Sequence, residues 1–303
     1  MTRRIIKDAL RGLGFDVKSV EKRRNIYATR PSWEYQAAYV LPHYKESDLV
    51  IDVGCGSAPS PPSSLVTDYY PDETIHRARP VAEDKPLVVC PADRMPFRTK
   101  YFDLSVCSHV LEHVPNPAQA AAEIARISKR GYLETPAYGK DTLIGTGHQH
   151  IWQVVNHDGT LHFFPYTERQ HRANADSPLM TIWCQEEYHP WQKYFWERQD
   201  VFNAIQVWDG TISIRVHASD ETAGRQEPAA SWKAVASERL PPQAPNLSDA
   251  EISLLEECLV TPGGDAPMRY RNGDFVDPSG NVVYPVRGKR IYFELPDTSR
   301  SKG

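Results

Sequence analysis

Two glycines, three aspartates and a handful of histidines carry the chemistry legible in this chain. In LVIDVGCGSA (49–58) an apolar run ends in a turn where Gly54 and Gly56 let a ligand approach the backbone closely. Alone, Gly-x-Gly equally serves an ordinary strand–helix joint. Asp68 stands at the end of the next apolar run, where a carboxylate can accept bonds from both hydroxyls of a ribose. Asp93 follows the third run, placed to receive an exocyclic amine. The glycine loop holds no Lys or Arg, and Asp52 would repel a pyrophosphate, so phosphate binding does not fit. An acid there suits a cationic end, such as an amino acid's ammonium. His109 and His113 follow the fourth run four positions apart, which on helical turns puts both on one face, and histidine moves protons near neutral pH.

The elements that position these groups alternate. SWEYQAAYVLPHY reads as a short helix, and DLVIDVGCG, SLVTDYY, PLVVCPAD, YFDLSVCSHVLEHV and RGYLETP as five strands. NPAQAAAEIARISK reads as a helix with Asn116 as cap, Pro117 in its first turn, and Ile124 and Ile127 on one face. Apolar strands punctuated by helices predict a parallel sheet covered on both faces. SPPSS (60–64) is too proline-rich for a normal long helix, so the helix after the first strand is expected to be short or delayed. After Pro136 the texture turns rich in His, Trp and Tyr. IWQVVNHDGTLHFFPY predicts a hairpin at Asp158-Gly159, YHPWQKYFWERQDVFNAI an aromatic helix, and QVWDGTISIRVH a second hairpin at Asp209-Gly210. From 249 onward a helix (SDAEISLLEECL) precedes short strands around RNGDF and PSGNVVYPV.

Composition bounds the class. The 303 residues are 40% hydrophobic and 24% charged, with net charge −4 and mean hydropathy −0.54, as in a folded soluble protein of about two domains. No long uncharged apolar run offers a membrane span, and the charged first residues give no secretory signal. Residues 1–30 hold nine Lys/Arg against three Asp/Glu, a local +6 that leaves −10 for the rest. That arm reads as an amphipathic helix, although a basic arm can also lean on polyanions. Cys55, Cys90, Cys107, Cys184 and Cys258 are odd in number and widely spaced, which predicts reduced thiols and a cytoplasmic location.

Ammonium, ribose and adenine partners together describe S-adenosyl-L-methionine. At this point the chain resembles the class I (Rossmann-like) S-adenosylmethionine-dependent methyltransferases, over about residues 35–136. VIDVGCGSA, VTDYYPD, ADRMPF, YFDLSVCSHVLEHV and RGYLETP carry the resemblance. It implies that Asp52, Gly54 and Gly56 line the methionine end of the cofactor, Asp68 and Tyr69 the ribose, and Asp93, Arg94 and Met95 the adenine. Ser108 and His109 then sit beside the transferable methyl. Ala58 replaces the third glycine of many members. HVLEHVPNP with KRGYLETP resembles methyltransferases of bacterial glycan and natural-product clusters, in which a histidine- and aromatic-rich segment follows the fifth strand.

The expected fold is α/β: a Rossmann-like methyltransferase sheet with helices on both faces, a β-rich insertion and a small α+β C-terminal domain. The expected boundaries are a basic arm (1–34), the cofactor-binding core (35–136), an acceptor-binding or lid segment (137–216), a linker (217–248) and the small domain (249–298). Residues 254–295 of that last unit resemble the zinc-ribbon-like activator proteins of tRNA and release-factor methyltransferases, but keep only Cys258 of the zinc-ligand cysteines, so no zinc is expected there. The expected activity is methyl transfer to O or N of a small polar, sugar-like acceptor, with His109, His113 and His148 as candidates for proton handling. His113 serves equally as a structural hydrogen-bonding group. His148, His150, His157 and His162 are near in sequence, but without an HExxH or paired-cysteine pattern no metal is expected. Trp191, Tyr194, Phe195 and Trp196 suit either a sugar face or a helix core. The alternatives are a methyltransferase of protein or RNA and a non-catalytic S-adenosylmethionine-binding protein. A small-molecule acceptor, rather than nucleic acid or membrane, is the expected partner, and a homodimer stays open.

Overall fold

Short apolar runs bounded by Gly or Pro fold as strands buried on both faces, and five of them form the centre of the molecule. The computed structural model describes residues 31–72, 80–82, 84–144, 150–175, 190–218 and 246–293. The basic arm to residue 30, His148, Cys184 and nearly all of the 217–248 linker lie outside them. β1 is Val50–Val53, β2 Leu65–Asp68, β3 Leu87–Val89, β4 Phe102–Ser108 and β5 Ser128–Pro136. They pair in parallel in the order β3-β2-β1-β4-β5. In such a doubly wound sheet the order reverses between β1 and β4, and ligands bind outside the carboxyl ends of the strands there.

Helices cover the sheet where their apolar stripes match it. α1 (Trp33–Val40) buries Gln36 and Val40, and α2 (Pro117–Ile127) buries Ala120, Ala121, Ile124 and Ile127. Asn116 caps α2, accepting from Gln119 N at 3.1 Å. Among the described residues, no helix is long and apolar enough to cross a membrane.

Beyond β5 the chain forms α3 (Tyr138–Ile144), β6 (Trp152–His157), β7 (Thr160–Pro165), α4 (Glu168–Ala175), α5 (Pro190–Glu197), α6 (Gln199–Phe202), β8 (Asn203–Asp209) and β9 (Ile214–Val216). β6 and β7 make the predicted hairpin, with Asp158 and Gly159 both at positive φ. The second hairpin does not form: β8 adds antiparallel to β5, whereas β9 pairs in parallel with β7. The free edge of β5 captures β8 over seven residue pairs, more than a three-residue β9 could offer. The aromatic helix also ends sooner than its sequence suggests. After Phe202 the pattern takes a period of two, with Ala204, Gln206 and Trp208 buried.

In the C-terminal unit, α7 (Asp249–Cys258) starts from a capping box between Ser248 and Glu251. β10 (Arg269–Arg271), β11 (Asp274–Val276) and β12 (Val283–Tyr284) form a small antiparallel sheet. β13 (Val286–Arg287) and β14 (Arg290–Tyr292) instead join the main sheet, β14 parallel to β3, giving eight strands in the order β13-β14-β3-β2-β1-β4-β5-β8. Leu255, Cys258, Leu259, Phe275 and Ile291 are buried in one cluster with Ile51, Phe97 and Phe102. The unit therefore shares its core with the central sheet.

Candidate active site

The carboxyl ends of β1 and β2 meet at the glycine turn. Gly54 and Gly56 have φ of +70° and +56°, a region in which L side chains are strained. A Cβ on Gly54 would lie 2.2 Å from Val110 Cγ2, so the turn packs directly under the loop after β4. A Cβ on Gly56 would meet nothing within 4 Å, leaving open space beside the backbone. Gly56 N donates to Asp68 Oδ2 at 3.1 Å, and Tyr70 N to Asp68 Oδ1 at 2.8 Å. These bonds fix the carboxylate at the mouth of that space. Tyr69 beside it is exposed, its ring 4.8 Å from that of Tyr70.

Asp52 is buried and accepts from Ser60 N at 2.6 Å. Burial pushes its carboxyl up to about 6 against the opposing pull of the Ser60 bonds and Lys85. Lys85 was not legible as part of this site. Its Nζ donates to Ser60 O at 3.0 Å, Pro61 O at 3.1 Å and Ser63 Oγ at 2.9 Å, tying down the proline-rich loop. No local signal ties a lysine before β3 to a loop 22–25 residues earlier.

Asp93 and Arg94 lie in the turn after β3, with Arg94 stacked 5.9 Å over the Phe293 ring. Met95 is buried there. Its N donates to Glu123 Oε2 at 3.0 Å and its O accepts from Arg126 Nη2 at 2.9 Å.

Ser108 ends β4 and accepts from Gln36 Nε2 at 3.0 Å. His109 follows with φ +57°, and its N donates to Glu134 O at 2.9 Å. That conformation turns its ring to Glu134, with Nε2 2.9 Å from Oε1. Nδ1 lies 3.4 Å from Glu112 Oε1, and Lys140 Nζ 3.4 Å from Nε2. Burial and Lys140 push the His109 pKa down, but Glu112 and Glu134 outweigh them and raise it. Glu134 also accepts from Tyr35 at 2.6 Å, from Gln36 at 3.2 Å and from Tyr132. Burial pushes Glu134 up, yet His109, Lys140 and Tyr132 hold it down at about 2. Lys140, lowered by burial, donates to Asn203 Oδ1 at 2.8 Å.

The residues after His109 form turns rather than helix, because Gly54 packs under Val110 and the chain folds over the glycine turn. His109 and His113 still converge on Glu112: His113 Nε2 is 3.6 Å from the same Oε1 that His109 Nδ1 faces. Among the described residues, the later histidines are not gathered into one group. His150 precedes β6 and stands edge-to-face on His113, whereas His157 ends β6 near His162, which bonds His217 at 2.9 Å. Trp191 and Phe195 pack around Phe202, so much of that aromatic run is helix core, while Tyr194 is exposed. Trp196 stands edge-on to Tyr35 at 5.5 Å.

Glu134, Glu112, Lys140, Tyr35 and Gln36 were not singled out from sequence. A glutamate inside the otherwise apolar RGYLETP strand, and a glutamine on the inner face of a short helix, were the available signals.

Residues 51–133 match a family described as a methyltransferase domain. No curated protein matches the chain. Among solved structures, a candidate methyltransferase from Bacillus halodurans C-125 is 16% identical over 41% of this chain and 70% of that one, with TM-score 0.29. The geranyl diphosphate C-methyltransferase of Streptomyces coelicolor, solved with S-adenosyl-L-homocysteine, is 14% identical over 57% and 73%, with TM-score 0.32. A chain from the Haloferax volcanii complex of the Trm112 methyltransferase activator with a candidate methyltransferase is 17% identical over 64% and 100%, with TM-score 0.37. Three further matched structures are spanned over 62%, 54% and 49% of their length. Likeness at this level assigns neither acceptor nor partner.

Proposed function

We propose that the chain, whose residues 51–133 match a methyltransferase domain, is a class I S-adenosylmethionine-dependent enzyme that methylates an oxygen or nitrogen of a small polar, sugar-like acceptor in glycan or natural-product biosynthesis. The pair formed by His109 and Glu134 at 2.9 Å, directly after Ser108 at the end of β4, is the observation that carries this reading.

The residues fit the cofactor. The open space at Gly56 admits a ligand to the backbone, and Asp68 is held at its edge by two amides. Asp52, Gly54 and Gly56 would hold the methionine end, Asp68 and Tyr69 the ribose, and Asp93, Arg94 and Met95 the adenine. When bound, S-adenosylmethionine supplies a methyl group on a sulfonium, already activated for displacement. The protein's part is to position the acceptor and take its proton. In this reading His109 takes that proton: Glu134 orients its ring through Nε2, and Nδ1, 3.4 Å from Glu112 Oε1 in the free protein, turns from that carboxylate to the acceptor. His113 and His148 are the further candidates.

The C-terminal unit acts in this reading as a built-in stabiliser, its β14 closing the β3 edge of the sheet. The buried thiols Cys55, Cys90, Cys107 and Cys258 favour a reducing, cytoplasmic setting.

The test joins calorimetry to labelled methyl transfer. Asp68→Ala is expected to weaken S-adenosylmethionine binding severely, and unchanged affinity overturns the site. Wild-type enzyme is expected to methylate members of a panel of glycosides and amino sugars. Labelled methyl on RNA or protein instead, or binding without turnover on any acceptor, overturns the small-acceptor reading.

A further inference from the structure

Glu112 is 1% exposed, and among the described residues neither of its carboxylate oxygens has a hydrogen-bond partner. A buried carboxylate in that state is costly unless a cation faces it. His109 Nδ1 faces Oε1 at 3.4 Å, and two further imidazoles gather at the carboxylate. His113 Nε2 lies 3.6 Å from Glu112 Oε1, and the His150 ring stands edge-to-face on the His113 ring with centroids 4.7 Å apart. One ligand atom from each of Glu112, His113 and His150 lies within 4.8 Å of the other two. We propose that these three residues bind a divalent transition-metal ion, zinc, which clips the segment beginning at residue 150 to the loop after β4.

Three further observations support a built site. His150 Nδ1 is 2.8 Å from Asp141 Oδ2, and the same oxygen accepts from Tyr166 Oη at 2.9 Å. A carboxylate on one ring nitrogen fixes the imidazole and leaves the other, Nε2, to a metal. The two ligand-bearing segments are also joined without an ion, because Ile151 N donates to Glu112 O at 2.8 Å and Trp152 Nε1 to Val114 O at 2.8 Å. Lastly, zinc bonds of about 2.0–2.1 Å place tetrahedral ligand atoms about 3.4 Å apart, so the trio closes on an ion with a shift of about 1 Å.

The donor set narrows the metal. Two imidazoles with one carboxylate suit zinc with an open position, and also iron(II), which the titration below separates from it, whereas magnesium and calcium prefer all-oxygen shells. The trio differs from the four histidines grouped by sequence, of which only His150 takes part. It does not depend on which acceptor is used, but it takes His113 from the candidates for proton handling and makes it a ligand. His109 lies alongside, its Nδ1 3.4 Å from Glu112.

Full-length protein stripped with a chelator and titrated with zinc is expected to take up one ion per chain and to melt at a higher temperature. Cobalt(II) is expected to replace it and give the visible absorption of a low-coordinate ion. Asp141→Asn, a positioning change, is expected to weaken zinc about 10–100-fold. Glu112→Gln and His150→Gln are expected to abolish saturable uptake, and His157→Ala to preserve it. Failure of the wild-type chain to take up zinc overturns the proposal, whatever the variants do. Unchanged affinity in folded Glu112→Gln and His150→Gln overturns it equally, and uptake of iron(II) without zinc overturns the assignment of the metal.

Discussion

Nε2 of His109 lies 2.9 Å from Oε1 of Glu134, a side chain with no solvent exposure. Tyr35 and Gln36 of α1 and Tyr132 of β5 donate to Glu134, and Lys140 of α3 lies 3.4 Å from His109 Nε2, so the pair ties α1 and α3 to β5 and to the turn after β4. Removing one member of a buried pair usually costs about 3–5 kcal/mol, because the other is left uncompensated. His109 is about a third exposed, so the Glu134→Gln change is expected to cost about 2–3 kcal/mol in denaturant unfolding. A double-mutant cycle with His109→Gln is expected to give a coupling of about 1–2 kcal/mol. Strict additivity of the two substitutions would show that the pair contributes nothing to the fold.

Packing makes a sharper demand at Gly131. This residue of β5 stands opposite Ser105 of β4 and Trp208 of β8. A Cβ there would lie 2.5 Å from the Ser105 carbonyl oxygen and 2.8 Å from Trp208 Cζ2. Neither can step aside, since one is backbone in the sheet centre and the other a buried indole. Gly131→Ala is expected to destabilise by about 2–3 kcal/mol through overpacking. Gly139, inside α3 with nothing within 4 Å of a built Cβ, is the control. There the same substitution is expected to be neutral or stabilising by about 0.4–1 kcal/mol. Equal melting temperatures for the two variants would contradict the strand packing.

Much of the core was legible because its signals are local. VIDV, LVTD and FDLSVCS are apolar runs that end at glycine, an acid or histidine, and their alternation with helices leaves little choice but a parallel sheet. The candidate cofactor residues were chosen for the same reason, since side chains at the ends of such strands face the crevice in which ligands bind. What escaped is non-local. Asp209-Gly210 carries a true turn signal, yet nothing within QVWDGTISIRVH shows that β5 offers β8 a better edge. The pairing of Ile291 with Val88 joins residues about two hundred positions apart. In the site, Glu112 and Glu134 looked like ordinary acids until the fold buried them against histidines.

Asp52 gives the fold a pH dependence whose sign can be worked out. Burial raises its carboxyl from 3.8 to about 6. A raised acid binds its proton more tightly folded than unfolded, so its contribution is fully present below 3.8 and is lost as pH rises through about 6. A shift of this size corresponds to about 2–4 kcal/mol across that window. Glu134 works in the opposite sense and lower down. Burial pushes it up, but His109 and its other partners win and lower it from 4.5 to about 2, so its contribution is present above 4.5 and lost as pH falls towards 2. Asp52→Asn keeps an oxygen for Ser60 N and removes the charge. The variant is therefore expected to gain on the wild type as pH rises from about 4 to about 7, with no further gain above that. Denaturant midpoints at matched ionic strength measure the difference. A wild-type-minus-variant stability that stays flat across that range would mean that Asp52 is not strained by burial, and that its bonds to the Ser60 loop and the field of Lys85 already compensate it in full.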